Sequence, residues 1–274
     1  MNQHLSVTMT QGFIDVANGR VAYTVTAGRG IPIVLLHGFC LDSRIWNDWQ
    51  QLLGQQKVIR IDCSSFGKSK FLPDTIEEQA TAVRSILEKL NTRTCIIIGH
   101  SMGGYIALAF AKMYGEMLAG LGMFHSHPYE DDDTKKESRA KGIQFIRQHG
   151  HTVYVKQLIP SFATPTFVAD NSLLINELIH NAVQNPSAAF INSLEMMIKR
   201  PDQSEVLRQI ACPVMFIIGE QDETIPQKNS LEQTHLPTIA IIHILPRVAH
   251  LAMLEAPKIS AGITKDFIQF CTNR

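Results

Sequence analysis

Apolar and polar positions along this chain follow two rhythms, and the change between them is the first clue to architecture. Near the N-terminus, Phe13-Ile14-Asp15-Val16 and Val21-Ala22-Tyr23-Thr24-Val25 flank Asn18-Gly19. Alternating runs around Asn-Gly predict a hairpin over residues 12–27. Ile31-Pro32-Ile33-Val34-Leu35-Leu36 is almost continuously apolar, the pattern of a strand buried on both faces of a parallel sheet. Further strands are predicted at Val58–Asp62, Ile96–Ile98, Leu118–Phe124, Val214–Ile218 and Ile239–Leu245. Between them lie helical patterns at 43–54 (Trp46, Trp49, Leu52, Leu53), 75–90, after Ser101, 226–235 and 257–271. In the second of these, Ile76, Ala80, Val83, Ile86, Leu87 and Leu90 form one stripe.

Alternating strands and helices predict an α/β fold, a mostly parallel sheet with helices on both faces. The rhythm stops from Pro128 to Gln203, where only helical patterns occur. Thr134 with Glu137 reads as a capping box for a helix running to His149, Asn171-Ser172 opens another, and Pro186 a third. The expected organisation is a core of residues 1–127 and 204–274 with a helical cap inserted at 128–203. The cap's apolar bulk (Phe162, Phe167, Leu173, Phe190, Met196, Met197) should mostly bury its helices against the sheet domain. A minority of these residues should face a pocket.

Charge narrows the partners. Twenty-five Lys and Arg balance 25 Asp and Glu, with no basic block. Nucleic acid and an anionic membrane surface are therefore poor main partners, and a small molecule is the expected one. The first residues lack a basic stretch followed by an apolar core, so no signal peptide is read, and the apolar runs are too short to span a bilayer. Five scattered cysteines (Cys40, Cys63, Cys95, Cys212, Cys271) without a C-x-x-C pair suit reduced thiols in a cytoplasmic protein. Oligomeric state leaves no signal.

The chemistry centres on Gly99-His100-Ser101-Met102-Gly103, which follows a strand and opens a helix. This G-x-S-x-G pattern puts a serine on a sharp turn with its hydroxyl exposed. A serine hydroxyl needs a base, and the base needs a group to hold it. Asp222, just past the Val214–Ile218 strand, and His250, after the last strand, are the candidates, with Glu220 and Glu223 as rivals for the acid role. The amides of Phe39, in His37-Gly38-Phe39, and of Met102 are candidate oxyanion donors. Pocket lining is expected from His125, His127, Phe162, Phe190 and Leu251. His125-Ser126-His127 with Asp131, Asp132 and Asp133 lacks convincing metal-ligand spacing, so no metal is expected. No nucleotide loop implies a cofactor. Cys40 and Cys63 could be nucleophiles, but a placed serine makes that reading weak.

Taken in order, these motifs resemble the α/β-hydrolase superfamily in its cap-bearing esterase, lipase and epoxide-hydrolase-like branch. His37-Gly38-Phe39 looks like the oxyanion loop, and Asp62-Cys63-Ser64-Ser65-Phe66-Gly67-Lys68-Ser69 like the loop after the next strand. Gly99–Gly104 is similar to the nucleophile elbow. Gly219-x-x-Asp222-x-x-x-Pro226 and Ala249-His250-Leu251, with Glu255 and Pro257 beyond, resemble the acid and base segments. The order Ser, Asp, His is that of this superfamily. Ser65 and Ala249 stand where glycines are usual; neither change removes a reactive group. A serine at position 101 also argues against the dehalogenases and epoxide hydrolases, which carry aspartate there. The resemblance implies Ser101, Asp222 and His250 as a catalytic triad. The expected activity is a serine hydrolase cleaving a small to medium apolar carboxylic ester through an acyl-enzyme. Alternatives sharing the triad are a C–C bond hydrolase or a thioesterase; another class is a ligand receptor on the hydrolase fold. An arginine in the pocket would favour an acidic substrate, with Arg44, Arg139 and Arg200 as candidates.

Overall fold

The computed structural model describes residues 9–274. A nine-stranded sheet runs through them. Its strands are β1 (Met9–Val16), β2 (Gly19–Thr26), β3 (Arg29–Leu36), β4 (Gln56–Ile61), β5 (Lys70–Phe71), β6 (Cys95–His100), β7 (Leu118–Phe124), β8 (Val214–Gly219) and β9 (Ala240–Leu245). They are ordered β1-β2-β4-β3-β6-β7-β8-β9, with β5 paired to β2. β1 and β2 form the antiparallel hairpin that Asn18-Gly19 predicts, and β2 also meets β4 antiparallel. From β4 to β9 every pairing is parallel. β6 and β8 are buried along their whole lengths, which is why their sequences are apolar without alternation.

Helices Ile76–Lys89 and Met102–Tyr114 pack against one another, and the short helix Asn47–Gln51 packs against Pro257–Thr272. Trp46 and Trp49 are core residues, and the Trp49 indole N–H donates to Ser260 Oγ at 2.9 Å. The helix expected over 43–54 is shorter and divided. A 3-10 turn, Ser43–Trp46, opens on the Asp42 carboxylate, which accepts the Arg44 N–H, and Asn47–Gln51 follows.

Residues 128–203 form five α-helices, Asp133–His149, His151–Leu158, Pro165–Asp170, Ser172–Val183 and Ser187–Lys199. Two of them fall outside the expected set: His151–Leu158 follows Gly150 without a side-chain cap, and Pro165–Asp170 opens on the Thr164 cap and Pro165 but is too short to carry a helical stripe. The first helix is capped by Asp132, which accepts the Lys135 N–H at 2.7 Å, and not by Thr134. A carboxylate at the N-cap also suits the helix dipole, and Thr134 is left inside the first turn. Leu173 was expected to be buried; it is 85% exposed, one residue into its helix. No helix among the described residues is long and apolar enough to cross a membrane.

The strand order places the site. The chain leaves β3 for β4 on one side and later returns as β6 on the other, so the loops from the C-terminal ends of β3 and β6 diverge. A crevice at such a switch point is where ligands bind in open α/β sheets. Leu36 lies in register with Gly99, so His37–Phe39 and Ser101 emerge side by side.

Candidate active site

Ser101 sits between β6 and the helix Met102–Tyr114 with φ 52° and ψ −116°, a strained conformation for a residue with a side chain. Its N–H donates to Phe124 O at 3.0 Å, and its carbonyl accepts from Gly104 N and Ser126 Oγ, each at 2.8 Å. A side chain at Gly99 would strike the Gly103–Gly104 backbone, and one at Gly103 would strike the carbonyls of Leu36 and His37. The two motif glycines therefore let β6, the following helix and the loop after β3 close on one another. Ser101 is half-buried, and its Oγ has no hydrogen-bond partner among the described residues.

The loop beside it is clamped by His37. The Cys63 N–H donates to His37 Nε2 at 2.8 Å, so the ring proton lies on Nδ1, which donates to Gly38 O at 2.9 Å. Burial lowers the His37 pKa against the pull of Asp62, keeping the ring neutral. Asp62 in turn accepts N–H groups from Ser43 and Lys68 on its two oxygens. The N–H groups of Phe39 and Met102 have no partner among the described residues, and Met102 begins a helix. Unpaired amides at a helix start suit a developing negative charge.

Asp222 and His250 are joined. His250 Nδ1 lies 2.7 Å from Asp222 Oδ2, and both side chains are buried. The other carboxylate oxygen accepts the N–H groups of Thr224 and Ile225, each at 2.9 Å. A third residue shares the pair: His125 Nδ1 lies 3.1 Å from the same Oδ2. A carboxylate oxygen accepts, so both imidazoles carry their proton on Nδ1. Burial opposes charge on Asp222, yet the facing His250 and His125 hold the carboxyl well below the usual carboxylate range. His100 donates from Nε2 to the His250 carbonyl at 2.9 Å, and its ring lies 4.8 Å from that of His250. Burial, then His250 and His125, push the His100 pKa well down. Ligand-type atoms of His125, Asp222 and His250 lie within 4.8 Å of one another. Two N–H donors on one carboxylate oxygen account for this cluster without an ion.

The other candidates separate. Phe162 packs on His250, with ring centroids 5.4 Å apart, and its carbonyl accepts the His250 N–H at 2.9 Å. Phe190 meets Phe39 edge-on at 6.1 Å, and Phe66 and Tyr154 also meet Phe39 edge-on. Leu251 is fully buried, its N–H bonded to Glu255. His125 is bonded to Asp222 and lies edge-on to the rings of His250 and His100, with centroids 5.7 and 6.2 Å away. His127 lies elsewhere, 3.5 Å from the Tyr105 hydroxyl and stacked on Tyr129. Of the rival acids, Glu220 accepts the Arg247 N–H, and with Glu223 it lines an outer cleft with Pro160 and Thr164. Burial raises the Cys40 and Cys63 thiol pKa values far above neutrality, leaving both protonated. Sequence reasoning gave no role to Glu255, whose carboxylate gathers the N–H groups of Thr164, Ala249 and Leu251. Its position five residues beyond His250 was the available signal.

With this geometry in place, comparison supplies the class. The alpha/beta hydrolase family model matches residues 33–261, and the chain belongs to that family. It is 25% identical to a putative 2-succinyl-6-hydroxy-2,4-cyclohexadiene-1-carboxylate synthase of Bacillus subtilis, covering 86% of this chain and 89% of that protein. It is also 25% identical to a 2-hydroxy-6-oxononadienedioate/2-hydroxy-6-oxononatrienedioate hydrolase of Paraburkholderia phymatum, covering 94% and 96%. Among solved structures, a thermophilic esterase from Thermogutta terrifontis superposes with TM-score 0.89 at 24% identity, covering 96% and 99%.

Proposed function

We propose that this protein is a serine hydrolase that cleaves small to medium, uncharged, largely apolar carboxylic esters through an acyl-enzyme. The observation that carries the reading is the buried Asp222–His250 hydrogen bond at the strand ends beside the strained Ser101 turn. In the proposed mechanism His250 Nε2 takes the Ser101 proton as Oγ attacks the ester carbonyl. Asp222 fixes the ring and stabilises the imidazolium. The Phe39 and Met102 amides hold the oxyanion, each worth roughly 3 kcal/mol in the transition state. His250 then returns the proton to the departing alcohol, and water cleaves the acyl-enzyme by the same route reversed. The Ser101 hydroxyl turns onto His250 when substrate binds, as such bonds often tighten only in the complex.

Residues 128–203 act as the cap. Support comes from Phe162 on His250 and from Tyr154 and Phe190 on Phe39, which bring apolar rings to the oxyanion loop. A cleft of 540 Å³ between the segment after β3 and the helix Ser172–Val183, lined by Cys40, Leu41, Leu174, Leu178 and Met253 and at its polar side by Asp42, Arg44, Asp48, Glu177 and Lys258, is the proposed approach. The arginines favour an uncharged substrate. Arg44 is paired with Asp42, and Arg139 and Arg200 both close on Asp131. None of these three is spare for a substrate carboxylate.

The names of the curated relatives favour a second reading, C–C bond hydrolysis of a 2-hydroxy-6-oxo-dienoate. The test is purified protein against a chain-length panel of p-nitrophenyl esters and 2-hydroxy-6-oxo-6-phenylhexa-2,4-dienoate, with fluorophosphonate labelling. Short to medium esters should turn over fastest, and Ser101→Ala should lower ester turnover by about 10⁴-fold or more and abolish labelling. Faster cleavage of the dienoate would replace the ester reading. Ester turnover surviving in Ser101→Ala would remove the serine from the mechanism.

A further inference from the structure

We propose that His125 is a positioning residue for this hydrolysis. By sharing Asp222 Oδ2 with His250, it fixes the carboxylate and tempers its pull on the His250 imidazolium. The proposal rests on the roles given above to Asp222 and His250.

Four N–H donors saturate the Asp222 carboxylate: His250 and His125 on Oδ2, Thr224 and Ile225 on Oδ1. A carboxylate offers about four lone-pair sites, so none is left over. His125 is 1% exposed and reaches His250 in two ways, through the shared carboxylate oxygen and by an edge-on ring contact with centroids 5.7 Å apart, so it acts on the base and not on substrate. Its backbone is held for this purpose. His125 lies at φ 50°, a left-handed conformation that a non-glycine residue keeps only where the surroundings impose it. Its N–H continues the β7–β8 ladder by donating to Ile217 O at 2.9 Å. Room for the ring is built in as well. A side chain at Gly219 would strike the His125 ring and the carbonyls of Val248 and Ala249. Thus Gly219, the last residue of β8, makes way first for the backbone leading into His250 and then for the His125 ring.

The charged and titratable groups facing His125 come from four elements. They are Asp222 after β8, His250 after β9, His100 at the end of β6 and Glu255 in the short helix Ala252–Glu255. Of these, Asp222 alone shares a hydrogen bond with His125. In the native site the charge on Oδ2 is divided between two N–H donors. Without the His125 donor, more of that charge faces His250 and the imidazolium is favoured. The base then becomes available only at higher pH. Asp222 also loses one of its four anchors.

The experiment compares pH profiles of kcat/KM on an uncharged p-nitrophenyl ester for the native protein, His125→Leu and His125→Asn. The Asn Nδ2 falls where imidazole Nδ1 sits, so it restores the donor. In His125→Leu the acid limb should move up by roughly half to one pH unit, and the plateau should fall about tenfold. His125→Asn should keep its limb near the native position. A limb that stays in place in His125→Leu, or moves equally in both variants, overturns the proposal. A second measurement needs no folded His125 variant. Histidine-¹⁵N-labelled native protein should show, besides the protected His37 Nδ1–H and His100 Nε2–H, two further low-field Nδ1–H resonances that both change in Asp222→Asn; a single Nδ1–H resonance responding to Asp222→Asn overturns the proposal. Ser101→Ala abolishes turnover whatever His125 does, so failure of the hydrolase reading is scored separately.

Discussion

The strand-end loops and the helical segment 128–203 meet at His250 and Phe39 but are fixed in different ways. In the loops, the carboxylates are held by several polar partners: buried Asp222 takes four N–H donors, and half-buried Glu255 those of three residues. The helical segment touches the sheet domain mostly through rings and a few separate polar ties. Arg44 reaches Asn181, Gly67 donates to Asn185, and Asn192 donates to the Pro73 carbonyl. The contrast teaches where precision is needed. Proton transfer demands groups held within tenths of an ångström, so the loops are over-determined. The proposed cap has to exclude water and shape a space, which packed rings and sparse ties can do.

The sharpest way to break that contrast is at the root of the segment, where its two ends are tied to each other by ion pairs. Asp131 there accepts from Arg139 at 2.5 Å and pairs with Arg200 at 2.8 Å. The side chains of Asp131 and Arg200 are each 2% exposed, and Arg200 also lies over the Tyr105 ring at 4.0 Å. Removing the carboxylate leaves a buried guanidinium without its counter-charge. Asp131→Ala should therefore lower unfolding stability by about 3–5 kcal/mol, read from urea denaturation. Turnover per folded molecule should stay within about twofold of the native value, because Asp131 has no bond to the strand-end loops. A loss under about 1 kcal/mol would mean that the segment is not anchored there.

Legibility in the sequence divides along the same line. Strands, the hairpin and the serine turn are encoded by neighbours within a few positions, as Asn18-Gly19 and Ile96–Ser101 illustrate. The strand-end loops carry motifs of fixed spacing, so Asp222 could be preferred over Glu220 and Glu223. Its bond to His125 joins residues 97 positions apart on different strand ends, which no local pattern reports. The helical segment was read as helical but miscounted. His151–Leu158 and Pro165–Asp170 are eight and six residues long, and helices this short owe their stability to tertiary packing more than to propensity. Leu173 was misjudged because hydrophobicity alone does not say which side of a helix meets the sheet.

A smaller effect sharpens the contrast through pH. Burial and the nearby Arg200 push the His127 pKa down to about 3, with Asp131, Arg139 and Lys135 also facing it. The pKa values of His100 and His125 are lowered as well, chiefly by burial. A histidine lowered in the folded state binds its proton more readily when unfolded. Its contribution to stability is therefore complete above the unfolded value of about 6.5 and is lost as pH falls toward the folded value. Urea midpoints should decline below about pH 6.5, each such histidine adding up to about 1.4 kcal/mol per pH unit. His127→Asn should flatten that decline by one proton's worth while leaving the pH profile of turnover in place. An unchanged slope would mean that His127 is not held neutral at the root of the segment.

The mildest change tests the ties themselves. Asn185 is buried; its Oδ1 accepts the Gly67 N–H at 2.8 Å, and its Nδ2 donates to Ala182 O at 2.9 Å. It thus joins the end of the helix Ser172–Val183 to the loop after β4, on the far side of Asp62 from the oxyanion loop. Asn185→Ala removes the acceptor and leaves the Gly67 N–H unmet, which should cost about 1 kcal/mol of stability. If the segment governs access and the loops govern chemistry, KM for the preferred ester should rise about threefold while kcat holds, because the change loosens binding and leaves the transition-state contacts alone. Steady-state kinetics across the ester panel would separate the two constants. A fall in kcat as large as the rise in KM would show that Asn185 transmits strain through Asp62 to the oxyanion loop, and the segment and loops would then have to be treated as one mechanical unit.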